Sequence, residues 1–255
     1  GTSTFVTIAN DATITLDQGG HTFTGALLIT TNDTSTDTAG DVTISAGSGA
    51  VLDFGDSTID GDLVATSSNT TGIIDSGAVI VRGTASFRTT AANADISLGT
   101  STLGDGTGTD TITLNTTGSG GDATLDNGTT AVALGTSAAS LVTSVGGDLT
   151  LTSGAAAGIT DSATVSVGGN LIATTDDNDG VIDLGTLAVD GTMALVTHNN
   201  GAATVVNDAG LNFAASTVGG ALSATATTGN ITQSGALDIE GTTTLVTTAQ
   251  GATIV

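Results

Sequence analysis

The residues whose types and spacing come closest to a metal site are the acidic ones in TTDDNDGVIDLGT, residues 174–186. When Gly180 is placed sixth in a calcium-binding loop, Asp177 and Asp179 take the third and fifth places, and Asp183 follows them. Such a loop needs carboxylates at its first and last places, which here are threonines. We therefore expect a solvated acidic turn and no specific metal site. Weak binding of divalent cations by the acidic turns stays open.

No other spacing indicates catalytic residues. His21 and His198 are the only histidines, neither has a motif partner, and GxSxG is absent. A glycosidase needs two carboxylates in a cleft, but 25 acidic residues make such a match uninformative. Enzymes that degrade acidic polysaccharides need basic residues, whereas this chain has only Arg82 and Arg88. We predict that the protein has no catalytic or cofactor-binding residues and is not an enzyme.

The formal net charge of -23 at pH 7 argues against two classes of partner. Nucleic acids and anionic lipid surfaces are bound mainly through Lys and Arg, and the chain has 2 such residues in total. No run of about 18 apolar residues is present, so the sequence predicts no membrane-spanning segment.

The element that must position these residues is a repeat. It consists of an aliphatic or aromatic residue, a glycine two places later and, two places after that, a further residue that is usually apolar. It recurs as Phe23-x-Gly25-x-Leu27, Ile59-x-Gly61-x-Leu63, Val81-x-Gly83-x-Ala85, Val145-x-Gly147-x-Leu149, Val167-x-Gly169-x-Leu171, Val189-x-Gly191-x-Met193, Val218-x-Gly220-x-Leu222 and Ile239-x-Gly241-x-Thr243. The intervals between successive glycines are 36, 22, 64, 22, 22, 29 and 21 residues. A recurrent period in this range indicates a solenoid.

Each unit also contains three short segments in which apolar and polar residues alternate, the pattern of strands with one buried face. After Gly169, the apolar positions are Leu171 and Ala173, then Ile182 and Leu184, then Leu187 and Val189. Thr, Val, Ile and Gly dominate, which favours strands and turns over helices. The sequence predicts an all-β fold, a right-handed parallel β-helix (β-solenoid), with about 22 residues and three short strands per coil.

We expect a single solenoid domain over residues 1–255, with polar insertions near residues 30–41, 104–110 and 198–210. The motif glycine is expected at a corner where it adopts positive φ. Leu149, Leu171 and Leu222 are expected to stack in one vertical file, with coils about 4.8 Å apart.

Several phrases resemble the repeats of filamentous haemagglutinin-like adhesins and related large bacterial surface proteins. They are VGGDLTLTSG at 145–154, VGGNLIATT at 167–175 and GNITQSGALDIEGTTTLVTT at 229–248. The resemblance runs from about residue 59 to the end of the sequence. It implies β-helix architecture, secretion to the cell surface or extracellular matrix, and a role in adhesion or matrix formation.

We therefore expect a non-enzymatic structural or adhesive rod. Because the ends of a solenoid present unpaired strand edges, its expected partners are further copies of itself or flanking parts of a longer chain. A host or matrix surface is a further expected partner. The alternative is a ligand-binding or ice-binding solenoid with outward threonine rows, and a polysaccharide-degrading β-helix enzyme is less favoured.

Overall fold

A computed structural model describes residues 1–32, 39–105, 110–137 and 139–255. Regular secondary structure in these residues consists of strands, with no helix. The described part of the chain accordingly contains no helix long and apolar enough to cross a membrane.

The strands of the first half are β1 (Ser3–Val6), β2 (Ile14–His21), β3 (Leu27–Thr30), β4 (Val42–Ala46), β5 (Leu52–Phe54), β6 (Ser57–Ile59), β7 (Leu63–Ser67), β8 (Gly72–Asp75), β9 (Val79–Val81), β10 (Ala85–Ala92), β11 (Asp95–Leu98), β12 (Ser101–Leu103), β13 (Ile112–Thr117) and β14 (Ala123–Asp126). Those of the second half are β15 (Val132–Leu134), β16 (Ser144–Val145), β17 (Leu149–Ser153), β18 (Ile159–Asp161), β19 (Val165–Val167), β20 (Leu171–Asn178), β21 (Ile182–Val189), β22 (Met193–His198), β23 (Ala203–Asn207), β24 (Leu211–Phe213), β25 (Ser216–Val218), β26 (Leu222–Ala226), β27 (Ile231–Gln233), β28 (Leu237–Ile239) and β29 (Thr243–Thr247).

These strands form two sheets that the chain visits alternately. The larger, sheet 1, has 16 strands, and the smaller, sheet 2, has 13. One visit to each sheet completes a coil, and about 11 coils at a spacing of ~22 residues form a parallel β-solenoid. The predicted fold class is confirmed. With coils about 4.8 Å apart, the rod is about 50 Å long.

Most coils consist of one continuous strand on one sheet and a split strand on the other, meaning two short strands separated by a corner. For example, β7 is a continuous strand on sheet 2, and β8 and β9 are the two parts of the split strand that follows on sheet 1. Along β7, Leu63, Ala65 and Ser67 are buried and the residues between them are half-buried. This alternation is why the segment forms a strand with one inward face.

The core is one column of apolar side chains enclosed by the two sheets. It extends from Ile14 to Ile231. Parallel pairing stacks inward residues in files, as where Ile73 pairs with Leu52 on one side and Ile96 on the other. Phe54 and Phe87 meet edge to face with ring centroids 6.2 Å apart. Burial of this apolar surface is the main force that holds the coils together.

The continuous strand changes sheet along the rod. It lies on sheet 2 in β4, β7, β10 and β13, on sheet 1 in β14, β17, β20 and β22, and again on sheet 2 in β23, β26 and β29. The expected single file of three leucines is therefore wrong. Leu149 and Leu171 pair on sheet 1, whereas Leu222 pairs with Ala203 and Thr243 on sheet 2.

The irregular glycine intervals follow from this change of sheet. The motif precedes a continuous strand, so its interval lengthens when that strand moves to the opposite sheet. In the segment 198–210, predicted as a polar insertion, β23 is a strand with buried Ala203, Val205 and Asn207. Of the other two predicted insertions, residues 33–38 and 106–109 lie outside the described residues.

The motif glycines do not adopt the expected positive φ, which occurs at other glycines such as Gly158 and Gly229. A Cβ on Gly169 would instead lie against Asp148 Oδ1 and 2.8 Å from the backbone carbonyl of Gly147 in the preceding coil. The expectation about backbone conformation is therefore wrong. Glycine is needed here because the corners of successive coils approach too closely for a side chain.

Candidate functional site

The acidic turn at residues 174–186 does not bring its carboxylates together as a metal site. Asp179 lies at a corner with φ 68 and accepts hydrogen bonds from the backbone N–H and Nδ2 of Asn200 at 2.9 and 3.0 Å. Asp183 is an exposed residue of β21 on sheet 2, and Asp177 is half-buried in β20 on sheet 1. No group of three or more His, Asp or Glu side chains among the described residues could hold a metal ion.

Most of the corner carboxylates form ladders that join successive coils. The residue after a corner accepts a hydrogen bond from the backbone N–H of its equivalent in the next coil. One ladder runs from Asp95 to the N–H of Asp122 (3.0 Å), from Asp122 to Asp148 (2.8 Å), from Asp148 to Asn170 (2.7 Å) and from Asn170 to Thr192 (2.9 Å). These bonds satisfy backbone donors at the corners, so the carboxylates have a structural use.

A second ladder includes Asp62, one of two carboxyls with a shifted pKa. Asp41 Oδ1 accepts the N–H of Asp62 at 2.9 Å, and Asp62 Oδ1 accepts the N–H of Thr84 at 2.7 Å. Burial raises the pKa of Asp62, the charge of Asp41 raises it further, and the hydrogen bond from Thr84 lowers it. Burial also raises the pKa of Asp110; the hydrogen bond from the backbone N–H of Asp105 lowers it, while the side chain of Asp105 and the charge of Asp62 raise it. The corner therefore favours protonation of these carboxyls.

The residues considered for catalysis are dispersed. Arg82 forms an ion pair with Asp60 at 2.6 Å. Arg88 is an exposed residue of β10 on sheet 2. The ring of His21 stacks on Phe23 with centroids 6.1 Å apart, and His198 is exposed at the end of β22. The contacts described for these four residues do not join any two of them.

The outward threonines form short, interrupted rows. Thr150 of β17 pairs with Thr124 on one side and with Ile172 on the other. Thr152 pairs with Asp126 on one side and Thr174 on the other. Because apolar and acidic residues break these rows, the outer face of sheet 1 does not present a regular array of hydroxyls.

Two open grooves lie beside the coil in which the continuous strand returns to sheet 2. The first, of about 250 Å³, is lined by Asp190, Gly191, Gly210, Asn212, Asn230 and Thr232 among others. The second, of about 270 Å³, is lined by Thr164, Thr186, Leu187, Val206, Asp208 and Thr227 with Gly185. Each lining contains a single carboxylate, so neither groove has the pair that glycoside hydrolysis needs.

Sequence reasoning missed a set of buried polar residues where a continuous strand meets a split one. The hydroxyl of Ser57 accepts the N–H of Ile29 at 3.1 Å, and that of Ser216 accepts the N–H of Leu195 at 3.1 Å. Thr143 Oγ1 accepts the N–H of Leu114 at 3.3 Å. The serines open the phrases STI and STV, and this shared pattern was the available signal.

A family model described as repeats of unknown function (DUF5649) matches residues 39–102 and 200–255. The first match contains β4 to β11 and most of β12, and the second contains β23 to β29. In both, a continuous strand on sheet 2 is followed by split strands on sheet 1. Searches of curated proteins and of solved structures gave no match. The chain is thus similar to these repeats over just under half of its length, and the match does not identify the filamentous haemagglutinin-like family.

Proposed function

We propose that this protein is a non-enzymatic structural or adhesive component of the bacterial cell surface or extracellular matrix. In this role the protein forms a stiff rod that stacks end to end or is a segment of a longer fibre. The observation that carries the proposal is the single core column between two long parallel sheets. A rod with one continuous core resists bending because every coil is hydrogen-bonded to its neighbours.

The surface of the rod favours this role over the two alternatives. An ice-binding face would need regular threonine rows, and the rows beside Thr150 and Thr152 are interrupted. A polysaccharide-degrading site would need clustered basic residues, but Arg82 is paired with Asp60. The high negative charge opposes sideways association of such rods.

The end coils carry inward residues that are only partly covered. At one end these are Phe5, Leu16 and Phe23, and at the other Leu237, Ile239 and Leu245. Another coil of the same kind would cover them and pair with the adjoining strand edges. We infer that this coil belongs either to a second copy of the chain or to flanking sequence.

Small-angle X-ray scattering of the purified chain tests the rod and its stacking. We expect a maximum dimension of about 50 Å that rises in steps of similar size with concentration. Leu245→Asp places a charge on the inward face of the last strand and should abolish the steps. Thr244→Asp adds the same charge on the outward face of that strand and should leave them. A compact particle at every concentration contradicts the rod, and a monomeric rod contradicts self-stacking.

A further inference from the structure

Among the described residues, two split strands within the rod lack a neighbouring strand along all or part of one side. β12 is the end strand of sheet 1 although it lies in the middle of the chain. On one side, the second part of β21 pairs with β19 over Leu187, Ala188 and Val189. On the other side it meets β23, and only Leu187 is paired there, with Asn207. In both places the next visit to the sheet is a continuous strand, which stops short of the second part of the split strand.

A fully buried asparagine side chain takes the place of the missing strand at β12. The N–H of Leu103 donates to Asn127 Oδ1 at 2.7 Å, and Asn127 Nδ2 donates to the carbonyl of Leu103 at 3.0 Å. The same Nδ2 donates to the carbonyl of Ala131 at 2.8 Å. One amide therefore supplies the acceptor and the donor that an adjacent strand would provide.

Asn207 repeats this geometry at β21. The N–H of Val189 donates to Asn207 Oδ1 at 2.8 Å, and Asn207 Nδ2 donates to the carbonyl of Val189 at 3.0 Å. Its Nδ2 also donates to the carbonyl of Gly210 at 2.8 Å. The two sites lie on different sheets, so their agreement reflects a common requirement and not one local sequence.

Several other continuous strands have a shorter polar residue at this position, and β4 and β26 have the alanines Ala46 and Ala226. Thr175 and Thr89 are also fully buried, and their hydroxyls donate to the carbonyls of Gly180 at 3.0 Å and Ala94 at 2.9 Å. These threonines and the two asparagines share one function, which is to close the following turn. The longer side chain of asparagine also hydrogen-bonds to the backbone of the preceding coil. Asparagine is found at the two places where that coil has an open strand edge.

We propose that Asn127 and Asn207 close two strand edges inside the rod and prevent them from pairing with another chain. An open edge presents an unpaired N–H and carbonyl that recruit a foreign strand. The buried amide satisfies both groups and occupies the space where such a strand would enter. The closed edges leave the ends of the rod as the surfaces for strand pairing.

The discriminating variant is Asn207→Thr. A threonine hydroxyl is expected to close the turn as in Thr175, but it cannot replace the two hydrogen bonds between the Asn207 amide and Val189. Hydrogen exchange followed by mass spectrometry with fragmentation, or by NMR, reports on the Val189 amide. We expect its protection to fall by about 10-fold to 100-fold, the factor for one buried hydrogen bond. We also expect light scattering and thioflavin T signals to rise on incubation. Asn127→Thr should likewise lower the protection of the Leu103 amide and increase association.

Two controls separate edge closure from general stability. Thr175→Ala removes a turn-closing bond without opening an edge and should not cause association. Asn212→Thr changes a half-buried outward residue of β24 and should alter neither readout. The proposal is overturned if Val189 stays protected in Asn207→Thr. It is equally overturned if protection falls uniformly along the rod, or if the variant does not associate more than Thr175→Ala.

Discussion

At the residue scale, the charge of this protein is largely placed at the corners, where it has a structural use. Asp122 and Asp148 each accept a backbone N–H from the next coil, and Asn170 continues the same ladder without a charge. An amide oxygen is therefore sufficient for the bond. The repeated carboxylates add mutual repulsion, which is strongest where they are partly buried.

Asp62→Asn tests the consequence for pH dependence. The pKa of Asp62 is raised in the folded state, chiefly by burial, so the folded protein binds this proton more tightly than the unfolded chain does. Stability should therefore rise as the pH falls through the raised pKa toward the ordinary value of 3.8. The Asn variant should be more stable than the parent at about pH 7, and this advantage should disappear near about pH 4.

Thermal unfolding at the two pH values measures this effect. Asp190→Asn removes one exposed charge and should give a smaller advantage at neutral pH. Equal gains from the two variants would mean that net charge alone, and not the buried corner, causes the pH dependence.

At the element scale, the spacing of the coils depends on corners that lack side chains. The motif glycine precedes a continuous strand and lies directly on the corner of the coil before it. A Cβ added at Gly147 or Gly169 would lie nearest to a carboxylate oxygen and to the backbone of the equivalent glycine in the preceding coil. The carboxylate ladder and the glycine stack are thus two parts of one corner.

Gly169→Ala should destabilise the rod by about 1–3 kcal/mol, the usual cost of overpacking. The added methyl would lie 2.8 Å from the backbone carbonyl of Gly147, and backbone cannot move aside without disturbing both coils. Gly99→Ala is the matched control, because its Cβ would have nothing within 4 Å. Denaturant unfolding midpoints compare the two, and equal midpoints would contradict close corner packing.

At the scale of the whole molecule, the rod is modular only where neighbouring coils have the same arrangement of continuous and split strands. From β14 to β22 the continuous strand stays on sheet 1, so these coils are interchangeable in form. The coil that contains β22 and β23 differs because it returns the continuous strand to sheet 2. It also supplies Asn207.

Deletion of one coil tests this distinction. Removing residues 149–170 places β20 on β14, where strand type and sheet both agree, so the shortened chain should fold into a rod about 5 Å shorter. Removing residues 193–210 places continuous β26 on split β21 without Asn207, so this chain should melt at lower temperature and associate. Circular dichroism melts and scattering measure both. Equal behaviour of the two deletions would show that Asn207 is not needed where the continuous strand changes sheet.

The sequence by itself determined the coil. Alternating apolar residues every two places and a glycine motif near every 22 residues are local patterns, and they predicted strands, inward residues and the solenoid. Only the tertiary structure decided which sheet each strand joins. Leu171 and Leu222 stand in the same motif, yet they lie on opposite sheets, because the partner strand in the preceding coil selects the sheet. The roles of Asn207 and Ser216 were hidden for the same reason: each bonds to a backbone group about 20 residues away in sequence, where only coil stacking brings them together.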